Sequence, residues 1–422
     1  MNAAPGWVRP LGTTGLEVSA LGFGAYRIRE DETDHLDALR SALTEGGVNL
    51  VDTSTNYGLG ASERAIGQVL RELIEAGELA REEIVVVSKI GYVQGAWLDE
   101  MRLEEEIAPL DYPVARVGDD HWHSVSPAAI SRGLRASLAR LGLETIDVML
   151  LHNPEYLIDP GPPQAANSPL FQRVDAFYEG LEASFAVLEE AVEKGQIGCY
   201  GVSSNALVDG PMSDRRTSLE RFLEAAEAAG GDGHHLRVIQ LPLNAIEAQA
   251  TRASKTEAAL LDRCRDAGLA VMTNRPMNAL VSGHVVRLAD PGPVADAERF
   301  APARQALGRL EAAIGAQQDG HPLPTWSKEL PVSMRKLFGT VAFDDFQANY
   351  ADRKTEAALA ALATQVREDP AGSELLERWL RDYLEVYATL MRAARAQLAV
   401  RDKRRLAPRL EEIERDLPPH LG

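Results

Sequence analysis

The run Asn49–Ala76, NLVDTSTNYGLGASERAIGQVLRELIEA, decides the architecture. It opens on a short apolar strand candidate, Asn49–Asp52, and passes through a polar loop that contains Tyr57 and two glycines. It then enters a helical pattern in which apolar residues return every three or four positions, with Ser62 placed to cap the first turn. Six further strand candidates repeat the theme: Ser19–Phe23, Ile84–Ser88, Ile146–Leu151, Gly198–Val202, Val238–Leu241 and Ala270–Thr273. Helical segments such as Asp34–Glu45, Pro127–Leu141 (behind a second cap, Ser126) and Phe171–Lys194 separate them. Strands alternating with helices predict βαβ units and a parallel sheet. An open sheet and a closed barrel both satisfy seven strands.

Outward from this repeat the texture changes twice. Upstream, Arg9–Leu11 and Leu16–Val18 flank Gly12-Thr13-Thr14-Gly15, the pattern of a β-hairpin that would plug the bottom of a barrel. Downstream of about Ser282, Ala, Leu, Glu and Arg dominate, and Leu375–Ala399 and Arg404–Leu417 predict amphipathic helices. Only Gly339–Phe343 (GTVAF) there resembles a strand. With 422 residues, enough for one barrel of about 250 residues and an added module, the expected organisation is a barrel over 1–281 and a helical module over 282–422. Tyr92–Asp120 is expected as a long loop.

A formal charge of −19 argues against nucleic acid or an anionic membrane as partner, because both repel an acidic surface. Cys199 and Cys264 are too few and too distant for a disulfide framework or a zinc site, and no metal is expected. His121 and His123, two apart around Trp122, have no further ligand cluster and suggest a loop anchor or pocket wall. No run reaches the roughly 18 apolar residues of a membrane span, and the first residues show no leader pattern, so a cytoplasmic location is expected.

Four polar residues fall at or just beyond the ends of successive strand candidates: Asp52, Tyr57, Lys89 and His152. In a barrel the C-terminal strand ends open on one face, so residues up to a hundred positions apart converge there. Tyrosine is a weak acid, with an ordinary pKa of about 10, and needs a neighbour that stabilises phenolate. A charge about 4 Å away at an effective dielectric of about 20 supplies roughly 4 kcal/mol. Lys89 is expected to bring Tyr57 into use near pH 7 in this way. Asp52 would keep Lys89 charged and aimed, and His152 would hydrogen-bond a substrate oxygen. The set suits giving a proton to a carbonyl oxygen. Nothing in it delivers hydride, so reduction needs a cofactor such as a reduced nicotinamide.

Val51–Gly67 (VDTSTNYGLGASERAIG), Val87–Lys89 (VSK), Leu138–Pro154 (LARLGLETIDVMLLHNP) and Gly195–Asn205 (GQIGCYGVSSN) resemble the successive motifs of aldo-keto reductases, over roughly residues 8–280. The resemblance implies an α/β fold of the (β/α)8 TIM-barrel type that stops short of its eighth strand. It also implies reduction of an aldehyde or ketone, or oxidation of the matching alcohol. Tyr57 would be the general acid, Lys89 and Asp52 its activating pair, and His152 the residue that orients the carbonyl. NADPH or NADH would be the cofactor, NADPH by resemblance, with Ser203, Asn205 and Gln240 at the nicotinamide carboxamide. Either Ser204 or Asn205 fits the second of those places.

Two departures stand out. Where the family sets an aromatic ring against the nicotinamide, this chain has Thr273-Asn274-Arg275-Pro276-Met277. Asn274 cannot stack, and Arg275 is assigned instead to a cofactor phosphate, which its planar fork suits. The family's 2′-phosphate motif and eighth strand are not evident. The alternative reading is therefore a reductase-like binding or regulatory protein with weakened cofactor grip. In either case the helical module, a homo-oligomer or a partner chain would cover the open barrel edge.

Overall fold

In the computed structural model the described residues are 7–107, 113–158, 170–209, 213, 217–254, 257–281, 284–288, 295–315, 324–366 and 370–416. They form two compact units, the first comprising residues 1–242 and 249–274, the second residues 243–248 and 275–422. The division at Asn274 lies earlier than the expected boundary at 281.

The first unit begins with an antiparallel hairpin, β1 (Val8–Pro10) and β2 (Glu17–Ser19). A parallel sheet follows: β3 (Phe23–Gly24), β4 (Leu50–Asp52), β5 (Val85–Ile90), then, beyond an inserted hairpin of β6 (Tyr92–Gln94) and β7 (His121–His123), β8 (Ile146–His152), β9 (Ile197–Ser203), β10 (Leu236–Pro242) and β11 (Ala270–Asn274). Each of the seven pairs with the next in chain order. An open doubly wound sheet needs a reversal of strand order, and there is none. Because parallel crossovers are right-handed, an unreversed order places every helix on one face and curls the sheet the other way.

The curl is measurable. Gln240 on β10 donates to Asp52 on β4 at 3.1 Å, although the strands are four steps apart and would be about 19 Å apart in a flat sheet. This is the (β/α)8-type fold with seven parallel strands and no eighth among the described residues.

Inside the curl sits one apolar cluster, with Leu50, Val85 and Val87, Val148 and Leu150, Cys199, Val238, Ala270 and Met272 from successive strands, and Leu11 and Val18 from the hairpin. The hairpin thus plugs the bottom, as expected. Its Thr13 donates to the Gly268 carbonyl at 2.8 Å, and its Ser19 N–H donates to Asn49 Oδ1 at 2.6 Å.

Several local expectations change. Ser62 lies inside the helix Ala61–Glu75 rather than capping it: Gly60 takes the cap position in a left-handed conformation, and the Ser62 hydroxyl donates to the Ala25 carbonyl. Ser126 does cap Pro127–Leu141, accepting from Ala129 N–H. Tyr92–Asp120 contains β6 and a helix, Ala96–Ile107, packed beneath Trp122.

The second unit holds a hairpin of β12 (Asn278–Val281) and β13 (His284–Arg287) and helices that include Phe300–Gly315, Trp326–Lys336, Asp352–Val366 and Pro370–Asp416. Gly339–Phe343 is not a strand. Thr340–Phe346 is helical, entered through Gly339 at φ 96°, and Phe343 is buried among Trp326, Leu330 and Leu390. No helix among the described residues is long and apolar enough to cross a membrane.

Candidate active site

Strand periodicity builds the site. Side chains two residues apart share a face, so the residue two beyond each inward core position also points inward, one layer nearer the C-terminal end. Leu50 leads to Asp52, Val87 to Lys89, Leu150 to His152, Val238 to Gln240 and Met272 to Asn274; in the same register Cys199 leads through Gly201 to Ser203. The apolar layer ends and a polar layer begins.

Lys89 is fully buried and spends its three hydrogens on Asp52 Oδ2 (2.8 Å), the Thr53 carbonyl (2.8 Å) and the Tyr57 hydroxyl (3.3 Å). Burial pulls its pKa down, but Asp52 and Tyr57 outweigh burial and hold the ammonium above its ordinary value. The Tyr57 hydroxyl is itself raised: burial is the largest influence, Lys89 opposes it and Asp52 reinforces it. The expected fall toward pH 7 is thus absent from this structure, because Tyr57 loses more by leaving water than Lys89 returns. At neutral pH Tyr57 is protonated, the state a proton donor requires.

His152 stands edge-on to Tyr57, ring centres 6.1 Å apart. Burial, Lys89 and His123 hold its pKa well below the ordinary value, so it is neutral. The structure adds residues that the sequence reading passed over. Ser54, fully buried, lies 3.0 Å from His152 Nδ1. His123 donates through Nε2 to the His152 carbonyl at 2.7 Å, the anchoring role expected of the HWH segment, and burial lowers its pKa to about 4. Tyr92, from the inserted hairpin, packs 5.0 Å from the His152 ring. No cluster of metal-ligating side chains occurs among the described residues.

Around the ring, the Ser203 hydroxyl donates to Gln240 Oε1 (2.9 Å), and Gln240 Nε2 donates to Asp52 Oδ1. Asn205 turns its amide to Asn153 Oδ1 (3.0 Å), and Asn153 donates to the Tyr92 hydroxyl (2.8 Å). The Asn205 backbone N–H is held by Glu155, whose carboxyl burial pushes up to about 7. Ser204 is occupied by Thr217 and the Ala206 N–H. Ser203, Gln240 and Asp52 therefore share one network, whereas Arg275 does not join it. Arg275 belongs to the second unit, has φ 58° and pairs with Glu247 at 2.8 Å.

The aldo/keto reductase family profile matches residues 20–314. The chain belongs to the aldo/keto reductase family. An NADH-specific methylglyoxal reductase of Escherichia coli (strain K12) is 28% identical over 292 residues, 67% of this chain and 71% of that protein. A D-threo-aldose 1-dehydrogenase of a Pseudomonas species is 32% identical over 155 residues, 33% of this chain and 42% of that protein. Among solved structures, an aldo/keto reductase from Klebsiella pneumoniae in complex with NADP and acetate is 21% identical, with a TM-score of 0.39, covering 62% of this chain and 66% of that one. In this aldo/keto reductase family member the polar layer at the strand ends lies within the matched residues.

Proposed function

We propose that this family member reduces an aldehyde or ketone, or oxidises the corresponding alcohol, using NADPH or NADH. The observation that supports it most directly is the Asp52–Lys89–Tyr57 chain of bonds beside His152. Lys89 has no hydrogen left after serving Asp52, Thr53 and Tyr57 oxygens, so it donates to Tyr57 and leaves the phenol hydrogen for the substrate. Tyr57 gives that proton to the carbonyl oxygen and passes to a phenolate stabilised by the adjacent ammonium. Asp52 keeps Lys89 charged through the exchange. His152 orients the substrate through a hydrogen bond to one of its oxygens.

The residues fit a nicotinamide. Ser203, Gln240 and Asn205 together offer the donors and acceptors a carboxamide needs, and Asn274 Oδ1, on the neighbouring strand end, is buried with no hydrogen-bond partner among the described residues. When bound there, the reduced nicotinamide supplies the hydride. Arg275, neutralised by Glu247, would have to leave that partner to hold a phosphate.

The test is turnover of a broad carbonyl panel with NADPH and with NADH. Tyr57→Phe should lower kcat at least about a hundredfold, the contribution of a positioned acid; unchanged turnover would remove Tyr57 from the mechanism.

A second reading, a binding or regulatory protein completed by another chain, draws on one observation: among the described residues β3 and β11 each have a single strand neighbour. Calorimetry with both cofactors and mass measurement in solution separate the two. Failure to bind either cofactor, together with a stable hetero-assembly, favours the second.

A further inference from the structure

The corner by which the chain leaves β8 clasps Asn205 twice. Asn153, at φ 49°, turns the backbone out of the strand, and Pro154 opens the single turn of 3₁₀ helix Pro154–Leu157. Asn153 Oδ1 accepts from the Asn205 side-chain amide at 3.0 Å, and Glu155 Oε1 accepts from the Asn205 backbone N–H, also at 3.0 Å. Glu155 is only 4% exposed, and its Oε2 has no hydrogen-bond partner among the described residues. A buried carboxyl is thus fixed to the backbone of a residue assigned to the nicotinamide carboxamide.

What Glu155 lacks is a cation. None forms an ion pair with it among the described residues, and Lys89 is committed to Asp52. The titratable groups packed about it are Tyr92, whose ionisation its charge opposes, Tyr156, next in the chain, and His123, whose ring lies 5.4 Å from that of Tyr156 and is neutral at pH 7. Burial pushes the Glu155 carboxyl up to about 7, with the hydrogens of Ser204, Asn205 and Ala206 opposing it. The group stands balanced between its two forms, so a positive charge arriving nearby decides which one it takes.

The two forms of a nicotinamide differ in that respect: the oxidised ring carries one positive charge and the reduced ring none. We infer that Glu155 lets this site distinguish the redox state of its cofactor, losing its proton to solvent when the oxidised form binds and keeping its protonation unchanged when the reduced form binds. This rests on the reading of Ser203, Gln240 and Asn205 as the carboxamide site. Glu155 is then a positioning residue that holds Asn205 and acts on the ring through its charge. Two unit charges roughly 12 Å apart at an effective dielectric of about 20 shift an equilibrium by about tenfold. At that strength the oxidised form should release about 0.4 proton at pH 7 and bind about fivefold more tightly at pH 8 than at pH 6.

Isothermal titration calorimetry on the full chain, with no substrate and no turnover, decides it. The pairs NAD+ with NADH and NADP+ with NADPH are titrated at pH 7 in two buffers of different ionisation enthalpy, which counts the protons released on binding. The difference within a pair cancels any titration of the cofactor's own phosphates. In the wild type the oxidised member should release about 0.4 proton more than the reduced one, and its Kd should follow the fivefold trend from pH 6 to pH 8 relative to that of the reduced member. Tyr57→Phe should keep the difference, which removes the phenol as its source. Glu155→Gln, of the same shape but unable to ionise, should bind both forms and abolish it.

Equal proton release by the oxidised and reduced forms in the wild type, or a difference that survives Glu155→Gln, overturns the inference and leaves the cofactor site standing, since both forms bind. Binding of neither pair overturns the cofactor site and the inference with it. The wild-type comparison needs no variant, so it refutes or supports the inference even where Glu155→Gln fails to fold.

Discussion

Replacing Asp52 by Asn tests the centre of the site through stability as well as activity. Each Asp52 oxygen accepts one bond, Oδ2 from Lys89 and Oδ1 from Gln240. Asparagine has one acceptor, so either Lys89 or Gln240 must face an N–H2 group, donor against donor. Lys89 is wholly buried, and the Asp52 side chain is 18% exposed. Removing one partner of a buried pair costs about 3–5 kcal/mol, chiefly by leaving the other charge uncompensated. The partial exposure of Asp52 puts the expected loss near the lower end, about 3 kcal/mol.

Urea unfolding at pH 7 measures it. The raised Lys89 pKa means its contribution is fully present below the unfolded value near 10.4 and is lost only as pH rises through the folded value, so pH 7 lies on the plateau. The double variant Asp52→Asn/Lys89→Met, which removes the stranded ammonium, should recover at least about 1 kcal/mol relative to Asp52→Asn alone. A single variant within about 0.5 kcal/mol of wild type, or a double variant equal to the sum of the singles, would refute the stranded-charge argument.

Other outcomes follow from the same contacts. His123, buried with its pKa lowered to about 4, contributes stability that is present above about pH 6.5 and lost as pH falls toward 4; wild type should lose about 2 kcal/mol between pH 6.5 and 5 from this residue, and His123→Asn should flatten that slope in acid unfolding curves. Glu155 behaves oppositely: with its carboxyl raised to about 7, its favourable protonated state is intact below the ordinary carboxylate value and is lost as pH rises through 7. Glu155→Gln should therefore gain about 1–3 kcal/mol on wild type between pH 5 and pH 8, read from unfolding midpoints at both. Gly67→Ala would drive a methyl group into the Leu141 carbonyl of the neighbouring helix, backbone that cannot swing aside; an overpacking cost of about 1–3 kcal/mol in thermal or urea unfolding is expected.

The strand ends were readable because their period is two and their apolar interiors are short; Asp52, Lys89, His152 and Gln240 each fall where that period turns from apolar to polar. Other features depend on partners far away in the chain. Tyr57 lies above its ordinary pKa because of burial, which neighbouring residue types do not report. Arg275 looks like a free cation until Glu247, from a loop 28 residues earlier, is placed against it. GTVAF has strand composition, but Phe343 completes a helical core around Trp326, and that packing outweighs local preference. Ser54 lies in the same sequence run as Tyr57, yet only the fold sets its hydroxyl 3.0 Å from His152 Nδ1.

The hairpin at the base ties the lower end of β11 to that of β4 through Thr13–Gly268 and Ser19–Asn49, and Gln240–Asp52 ties the upper ends of β10 and β4. The curl that strand order and pairing produce is thus spanned by polar chords at both of its ends. A substitution at residue 13 therefore removes a bond that spans the bottom of the curl while leaving every residue of the polar layer in place.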